Sequence, residues 1–347
     1  MIALRATHTL CFLPSERSCP AERQVISIKT PVTRVGNKTP ILHILYALFP
    51  TEYGRFVDVF GGSGSVLLGK PRADPFEVYN DFDRNLVNLF HCMKERTMAT
   101  IRELGFCNLN SREDFNALRS FFQGELWNAS FLAEESQLTE ILLPPLEAEE
   151  LNEVRQRITE DYDVRRAAMY LKLLRYSYSS GCKSFAGSPF DLRKLFGLIA
   201  ELQDRMANVV VENQDFETLI RHYDRPETFF YLDPPYYSTE DMYEGFSRDD
   251  HLRLRDTLAG IRGKFLLSYN DCPEIRELYD GYPIFDFSRP HSMAQRYEAG
   301  REFKELLIGN YDLFQREREK PRQMSLLDDL SDYESVLKES IVSCKIK

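Results

Sequence analysis

Short apolar segments, several of which end in Asp or Asn, are the feature of this sequence that most constrains its fold. Helical periods lie between some of them, at residues 160–180 and 248–261. Strands that alternate with helices predict an α/β domain with a mostly parallel sheet. Ligands of such sheets bind beyond the carboxyl ends of the strands, which is where the polar residues fall. The apolar segments are residues 55–65, 76–83, 208–216, 228–236, 263–271 and 304–311.

A helix-rich stretch interrupts this alternation between the second and third segments. We predict that residues 90–195 form an inserted, mostly helical module, so that the α/β domain comprises residues 25–89 and 196–314. Residues 1–24 are expected to be a disordered leader. Residues 315–347 are charged and poorly periodic, which predicts a mobile tail.

Cysteine usage and hydropathy exclude several classes of protein. No run reaches the roughly 18–20 apolar residues of a membrane span, and the leader lacks the sustained apolar core of a signal peptide. The seven cysteines are scattered and include no C-x-x-C pair, which argues against a disulfide framework and against a zinc site. We therefore expect a cytoplasmic protein that needs neither a membrane nor a metal ion.

The formal charge of −10 does not favour nucleic acid as a partner at first sight, because affinity for phosphate needs Lys and Arg. The charge is segregated, however. Residues 165–194 hold seven basic residues against one acid, Asp191, whereas residues 134–153 and 327–340 are rich in acids. The basic stretch is open to two interpretations, a solvated charged face or a surface that binds nucleic acid.

A glycine loop follows the first predicted strand in "DVFGGSGS". Asp58 lies near the end of the strand, and Gly61, Gly62 and Gly64 allow a tight turn against a ligand. The loop has neither the G-x-G-x-x-G spacing nor the G-K-[ST] ending of known phosphate-binding loops, so an ordinary glycine turn explains it equally well. Asp81 ends the next strand, where it could accept hydrogen bonds from ribose hydroxyls or cap the following helix.

The segment "TFFYLDPPYYST" delivers a carboxylate and a stiff aromatic turn from the end of a strand. Asp233 and the carbonyl of Pro234 form a pair of acceptors, and the prolines restrict the backbone around them. Tyr236 offers a flat face for stacking. This set suits an exocyclic amino group on a planar base, although a D-P-P turn can also be merely structural. Lys38, after the turn at Gly36, could meet a ligand carboxylate or be solvated.

These motifs, taken in order, resemble the Dam-type, alpha-group (D12 class) N6-adenine DNA methyltransferases, which use S-adenosylmethionine. The resemblance rests on the lysine turn, "FGGSG", the long insertion and "DPPY", and it covers about residues 31–314. It implies a Rossmann-like class I methyltransferase fold with an inserted target-recognition region. The sequence departs from the family at Arg34, where an aromatic residue often stands, and this puts one stacking contact to the cofactor in doubt.

The resemblance also implies cofactor contacts. Lys38, with Asp58, would contact the methionyl end of the cofactor, and Asp81 would bind its ribose. Asp215 would contact the adenine amino group of the cofactor, with Phe216 beside the ring. The residues implied to bind the cofactor are Lys38, Asp58, Phe60, Gly61, Gly64, Asp81, Asp215, Phe216 and Asp233.

For the DNA substrate, the resemblance implies direct transfer of the methyl group to N6 of an adenine flipped out of the duplex. Asp233 and Pro234 would hold N6, and Tyr236 would stack on the base. In the segment that resembles a DNA-contacting hairpin, Arg175 and Lys183 are expected to contact DNA, with surface ion pairs as the alternative.

Two further readings stay open, and two others are disfavoured. An RNA adenine methyltransferase would use the same pocket, and a catalytically silent DNA-binding protein would keep the same fold. Methyltransferases that act on protein glutamine typically have Asn-Pro-Pro-Tyr, and Asp233 argues against them. A nicotinamide dehydrogenase is disfavoured by the missing glycine fingerprint. Separately, "QMSLL" at Gln323–Leu327 resembles peptides that bind the bacterial sliding clamp, which predicts the clamp as a second partner.

Overall fold

A computed structural model describes residues 28–70, 74–106, 111–123, 163–186, 191–237, 246–290 and 302–319, together with residues 141, 338 and 341. Within this part of the chain, no helix is long and apolar enough to cross a membrane. The predicted leader and the pentapeptide Gln323–Leu327 lie outside the described residues.

The described strands form one seven-stranded sheet in the order β3-β2-β1-β4-β5-β7-β6. Strands β3, β2, β1, β4 and β5 are parallel, whereas β7 is antiparallel to both of its neighbours. The predicted Rossmann-like α/β fold is therefore confirmed. The strands are β1 (Arg55–Asp58), β2 (Phe76–Asn80), β3 (Val209–Glu212), β4 (Thr228–Leu232), β5 (Lys264–Asn270), β6 (Ile284–Pro290) and β7 (Glu302–Gly309).

Helices cover both faces of this sheet, as a mostly parallel sheet requires. A short 3-10 helix at Thr39–Ile41 leads into the first of them. Another, at Tyr178–Ser180, follows the helix Val164–Tyr176. The described helices are α1 (Leu42–Leu48), α2 (Ser65–Gly69), α3 (Arg84–Glu95), α4 (Thr97–Phe106), α5 (Arg112–Phe122), α6 (Val164–Tyr176), α7 (Lys194–Met206), α8 (Phe216–Tyr223), α9 (Arg248–Ala259), α10 (Pro273–Leu278) and α11 (Gln315–Glu319).

The central strand β4 shows why the sheet is covered on both sides. All five of its residues are buried. Phe229 and Tyr231 lie in the apolar cluster beneath α1, α2, α3, α6 and α7. Phe230 and Leu232 lie in the opposite cluster, with residues of α8, α9 and α10. Successive side chains of a strand point to opposite faces, so a run of apolar residues without alternation is buried from both sides.

The direction of the chain reverses next to β1, and this positions the site. From β1 the sheet grows through β2 to β3 on one side, and the chain then returns to place β4 on the other side of β1. Asp58 ends β1 directly opposite Tyr231 of β4, and Asp233 follows β4. The crevice at such a switch point is where ligands of open α/β sheets bind.

The described helices of the predicted insertion share their core with the sheet. Phe115 of α5 and Leu171 of α6 belong to the same apolar cluster as Phe56 and Tyr79 of the sheet. The predicted borders at residues 89 and 195 both fall inside helices, α3 and α7. The division into an α/β domain and an insertion thus describes the order along the chain, while the packing is continuous.

The predicted tail does not begin unstructured. Residues 315–319 form α11, and the guanidinium of Arg316 donates to the carbonyls of Phe49 and Pro50 at 2.6 and 2.7 Å. Farther along, Ile341 is 1% exposed and joins the core. These contacts tie residues 315–319 to the end of α1, and the predicted mobile tail stays a prediction for the residues that the structure does not describe.

Candidate active site

The ammonium group of Lys38 joins the lysine turn to the D-P-P-Y segment. Its Nζ lies 2.8 Å from Oδ1 of Asp233 and donates to the hydroxyl of Tyr236 at 2.9 Å. Gly36, with a φ of +83°, makes the turn that places Lys38 just before the 3-10 helix. Only 4% of the Lys38 side chain is exposed. Burial alone would lower its pKa, but the charge of the Asp233 carboxylate raises the pKa above its ordinary value, so the ammonium stays protonated.

Tyr236 is held at both ends of its side chain. Its hydroxyl lies 3.2 Å from Oγ of Ser268, and its ring stacks on Phe303 with centroids 6.1 Å apart and an interplanar angle of 20°. Burial, opposed by the Lys38 charge, raises the pKa of the phenol, which is therefore neutral at ordinary pH. Pro234 is buried beside Asp233. The rigid aromatic turn predicted from the sequence is thus present, with Ser268 and Phe303 as supports that sequence reasoning missed.

Asp58 is a buried carboxylate at the crevice. It is 1% exposed, and no side chain of the described residues donates a hydrogen bond to its oxygens. Burial and the nearby carboxylates of Asp233 and Asp81 raise its pKa well above the ordinary range, while a backbone contact with Leu67 and the charge of Lys70 oppose them. A cation placed against a buried acid in such surroundings strongly stabilises its ionised form.

The glycine loop turns tightly against the chain itself. A Cβ at Gly61 would lie 2.3 Å from the ring of Tyr79, and one at Gly64 would lie 2.9 Å from the ring of Phe90. Gly62 and Gly64 also have positive φ angles. The amides of Gly61 and Gly64 donate to Asn80 and Gly61 carbonyls at 2.7 and 2.8 Å. Packing within the protein therefore explains the glycines, and these two N–H groups already have acceptors.

Asp81 connects the glycine loop to the end of β2. Its Oδ2 accepts from the amide of Gly62 at 2.8 Å, and its Oδ1 accepts from the amide of Asp83 at 2.9 Å. Burial raises its pKa, opposed by the charge of Arg34. The alternative role for Asp81 as a helix cap is wrong: Asp83 caps α3, since its side chain accepts from the amides of Asn85 and Leu86.

Arg34 takes part in an ion pair at this edge of the crevice. Its Nη1 lies 3.0 Å from Oδ2 of Asp83, and the hydroxyl of Tyr170 in α6 donates to the same oxygen at 2.7 Å. Asp83 therefore links the segment before Lys38 to a helix of the insertion. The place where relatives often carry an aromatic residue is filled here by a paired guanidinium.

Asp215 and Phe216 lie at the start of α8, next to a residue that sequence reasoning missed. Asp215 caps this helix by accepting from the amide of Glu217, and both of its oxygens accept from the guanidinium of Arg253 at 2.8 Å. The guanidinium carbon lies 4.1 Å from the centroid of Phe216. Phe216 is 4% exposed and also contacts Phe60, with centroids 5.7 Å apart. The Asp250–Arg253 spacing on a predicted helix was the available signal for an ion pair.

The two predicted DNA contacts lie in different surroundings. The guanidinium of Arg175 donates to the carbonyl of Pro31, and burial lowers its pKa to about 10. The side chain of Lys183 is exposed, and its carbonyl accepts from Arg119 at 2.8 Å. The intervening turn contains Ser180 and Cys182 in left-handed conformations, φ 57° and 55°, which non-glycine residues rarely adopt. Both side chains remain predicted DNA contacts.

Comparison with known proteins finds a matching family and several similar relatives, among them two type II methyltransferases. Residues 35–296 match the family model of D12 class N6 adenine-specific DNA methyltransferases. The chain is 22% identical over 313 residues to the type II methyltransferase M1.LlaDCHI of Lactococcus lactis subsp. cremoris, an alignment that covers 84% of this chain and 98% of that relative. It is 23% identical over 294 residues to the type II methyltransferase M.CviBI of Paramecium bursaria Chlorella virus NC1A, covering 80% and 97%.

Proposed function

Because the chain belongs to the D12 class of N6 adenine-specific DNA methyltransferases, we propose that its methyl donor is S-adenosylmethionine, bound in the crevice between β1 and β4. The protein is a DNA adenine methyltransferase, which agrees with the resemblance carried by its motifs. Because its relatives are named type II methyltransferases, we assign it to the same class, the modification enzymes of restriction–modification systems.

The observation that carries the cofactor proposal is the buried carboxylate of Asp58, to which no described side chain donates a hydrogen bond. S-adenosylmethionine has two positive groups, a sulfonium and an α-ammonium. A buried carboxylate whose pKa is raised by burial and by the charges of two nearby acids is stabilised by such a cation. Asp81, tied to the glycine loop, has the chemistry to accept hydrogen bonds from ribose hydroxyls. The two carboxylates, Asp58 and Asp81, therefore fit this cofactor.

For Lys38 we propose a role different from the methionyl contact implied by the resemblance. Its ammonium group is paired with Asp233 and bonded to Tyr236. It therefore fixes the orientation of the carboxylate that receives the target amino group. Any contact of Lys38 with the cofactor comes in addition to this one.

Asp233 and the Pro234 carbonyl act on the target adenine. The N6 lone pair of adenine is delocalised into the ring, which makes N6 a poor nucleophile. Hydrogen bonds from its two N–H groups to these acceptors favour a more tetrahedral nitrogen and aim its lone pair. The bound cofactor supplies the electrophilic methyl group. Tyr236, fixed by Lys38, Ser268 and Phe303, provides a rigid surface for the flipped base.

The insertion is proposed to recognise the DNA sequence, with Arg175 and Lys183 as contacts. Of the two, Lys183 has the exposed side chain and is the stronger candidate for a phosphate contact. The proposed clamp-binding peptide, Gln323–Leu327, lies outside the described residues and stays a prediction, as does the cytoplasmic location.

A transfer assay tests the proposed cofactor and roles. The purified protein is incubated with S-adenosylmethionine labelled on its methyl group and with duplex DNA or RNA. We expect label at adenine N6 of DNA, none after Asp233→Ala, and DNA binding by that variant. Turnover by Asp233→Ala contradicts its role, and label found in RNA alone supports the RNA reading.

A further inference from the structure

Arg253 of α9 is enclosed by three carboxylates. Its Nη1 and Nη2 donate to the two oxygens of Asp215 at 2.8 Å each. Nη1 also donates to Oε2 of Glu217 at 3.2 Å, and Nε donates to Oδ1 of Asp250 at 2.8 Å. The hydrogen bond to Asp215, opposed by partial burial and assisted by Asp250, raises the pKa of the guanidinium. Bidentate contact of this kind fixes orientation as well as charge.

The support of Arg253 is rigid. Asp250 belongs to the capping box of α9, where its Oδ2 accepts from the amide and hydroxyl of Ser247 at 2.7 and 2.8 Å. The guanidinium plane also covers the ring of Phe216 at 4.1 Å. A side chain held from several directions has lost its rotamer freedom during folding. It therefore does not add that entropic cost when a ligand binds.

The hydrogen bonds leave Asp215 with room for one more donor. Its Oδ1 accepts from the amide of Glu217 and from Nη1 of Arg253, and among the described residues its Oδ2 accepts from Nη2 alone. An ionised carboxylate accepts at about four lone-pair sites, and the Asp215 side chain is 33% exposed. One acceptor position at Oδ2 is thus available to a ligand N–H.

We propose that Arg253 is a positioning residue that holds Asp215 as an acceptor for the amino group of the cofactor's purine and so selects 6-amino over 6-oxo purines. The proposal rests on the proposed contact between Asp215 and the cofactor adenine. A 6-oxo purine presents an acceptor where the amino group presents a donor. With both oxygens oriented by the guanidinium, Asp215 repels that acceptor instead of turning away from it.

Calorimetry tests this with two probes, S-adenosylhomocysteine and its 6-oxo analogue S-inosylhomocysteine. The variants are Arg253→Ala, Arg253→Lys and the control Arg221→Ala. Arg221 also pairs with Glu217, at 2.5 Å, but does not contact Asp215 in the structure. We expect Arg253→Ala to weaken S-adenosylhomocysteine binding about tenfold or more, by loss of an oriented, charge-assisted hydrogen bond. The preference of this variant for S-adenosylhomocysteine over the 6-oxo analogue should also shrink. The affinity of Arg221→Ala for S-adenosylhomocysteine should stay within about twofold of that of the wild type.

Arg253→Lys keeps the charge but lacks the planar fork of the guanidinium. Its affinity for S-adenosylhomocysteine should therefore fall between those of the wild type and Arg253→Ala. In turnover it should raise the KM for S-adenosylmethionine and leave kcat unchanged, because Asp233 and Lys38 are untouched. If Arg253→Ala does not fold, this split decides the question.

The outcomes distinguish an error in the proposed cofactor from an error in the role of Arg253. Failure of the wild type to bind S-adenosylhomocysteine overturns the proposed cofactor and this inference with it. Wild-type binding that neither Arg253 variant weakens overturns the inference alone. Tighter binding by Arg253→Ala also overturns it, and identifies the guanidinium as an obstacle in front of Phe216.

Discussion

The Nζ of Lys38 lies 2.8 Å from Oδ1 of Asp233, although the two residues lie on opposite sides of the insertion along the chain. The same nitrogen donates to the Tyr236 hydroxyl, so one buried ammonium orients both the acceptor and the aromatic surface proposed for the target base. Removing one partner of a buried ion pair leaves the other charge uncompensated and free to turn.

We expect Lys38→Met to lower kcat by about 100-fold, because misorientation of a reacting group by about 1 Å costs that much. The measurement is single-turnover methylation of duplex DNA at saturating cofactor. Lys264→Met serves as the matched control, since Lys264 begins β5 at the amino end of the parallel strands, away from the carboxyl ends where the site lies. A kcat within about twofold of the wild type would exclude this role for Lys38.

Cofactor affinity should depend on pH through Asp58. Its pKa is raised in the free protein by burial and by Asp233 and Asp81, and a cation binds its ionised form. Affinity for S-adenosylmethionine should therefore fall as the pH drops through the raised pKa, with proton release on binding below it. Calorimetry in buffers of different ionisation enthalpy measures the proton. Asp58→Asn should bind more weakly and show a smaller pH dependence. An unchanged dependence in this variant assigns the titration to another group.

Asp58 should also cost stability in the absence of cofactor. Because its folded pKa is raised, the penalty is absent at low pH, grows as the pH rises above the ordinary carboxyl pKa, and is complete above the raised value. Asp58→Asn without cofactor should therefore melt at a higher temperature than the wild type at pH 8, with a smaller gap at pH 5. Thermal unfolding followed by circular dichroism measures both. A lower melting temperature for the variant at pH 8 contradicts the assignment.

The glycine loop should tolerate no side chain at its first glycine. Gly61→Ala places a Cβ 2.3 Å from the Tyr79 ring, and overpacking of this kind costs about 1–3 kcal/mol of unfolding free energy. Gly197→Ala is the control, since a Cβ there meets nothing within 4 Å in α7. It should stabilise the protein by up to about 1 kcal/mol through helix propensity. Urea unfolding compares the two, and equal effects would show that the loop does not pack as described.

The elements that could be read from the sequence are those whose signal is local. Strand β4 and the turn after it were predicted because four successive apolar residues indicate a buried strand and two prolines restrict the backbone that follows it. Strand β6 was missed, although Phe285 and Phe287 are buried and Asp286 and Ser288 exposed. This alternation is typical of a strand with one buried face. The segment is short, however, and its signal is weaker than that of the longer apolar runs.

The choice between Asp81 and Asp83 could not be made from the sequence. Two acids stand two residues apart before α3, and either could cap it. The path of the backbone puts Asp83 against the amides of Asn85 and Leu86 and turns Asp81 toward Gly62. Side chains two residues apart have the same covalent reach, so only the dihedral angles of the folded chain separate their roles.

The sequence by itself determined the fold class, the family and the residue types of the site, because periodicity, glycines and prolines act over a few residues. The tertiary structure alone decided which of these residues meet. Lys38 contacts Asp233 because β4 lies beside β1 at the switch point, and Arg253 contacts Asp215 because α9 packs next to α8. Such pairs form between distant parts of the chain, and their partners are chosen by the order of the strands and the packing of the core, which no local pattern encodes.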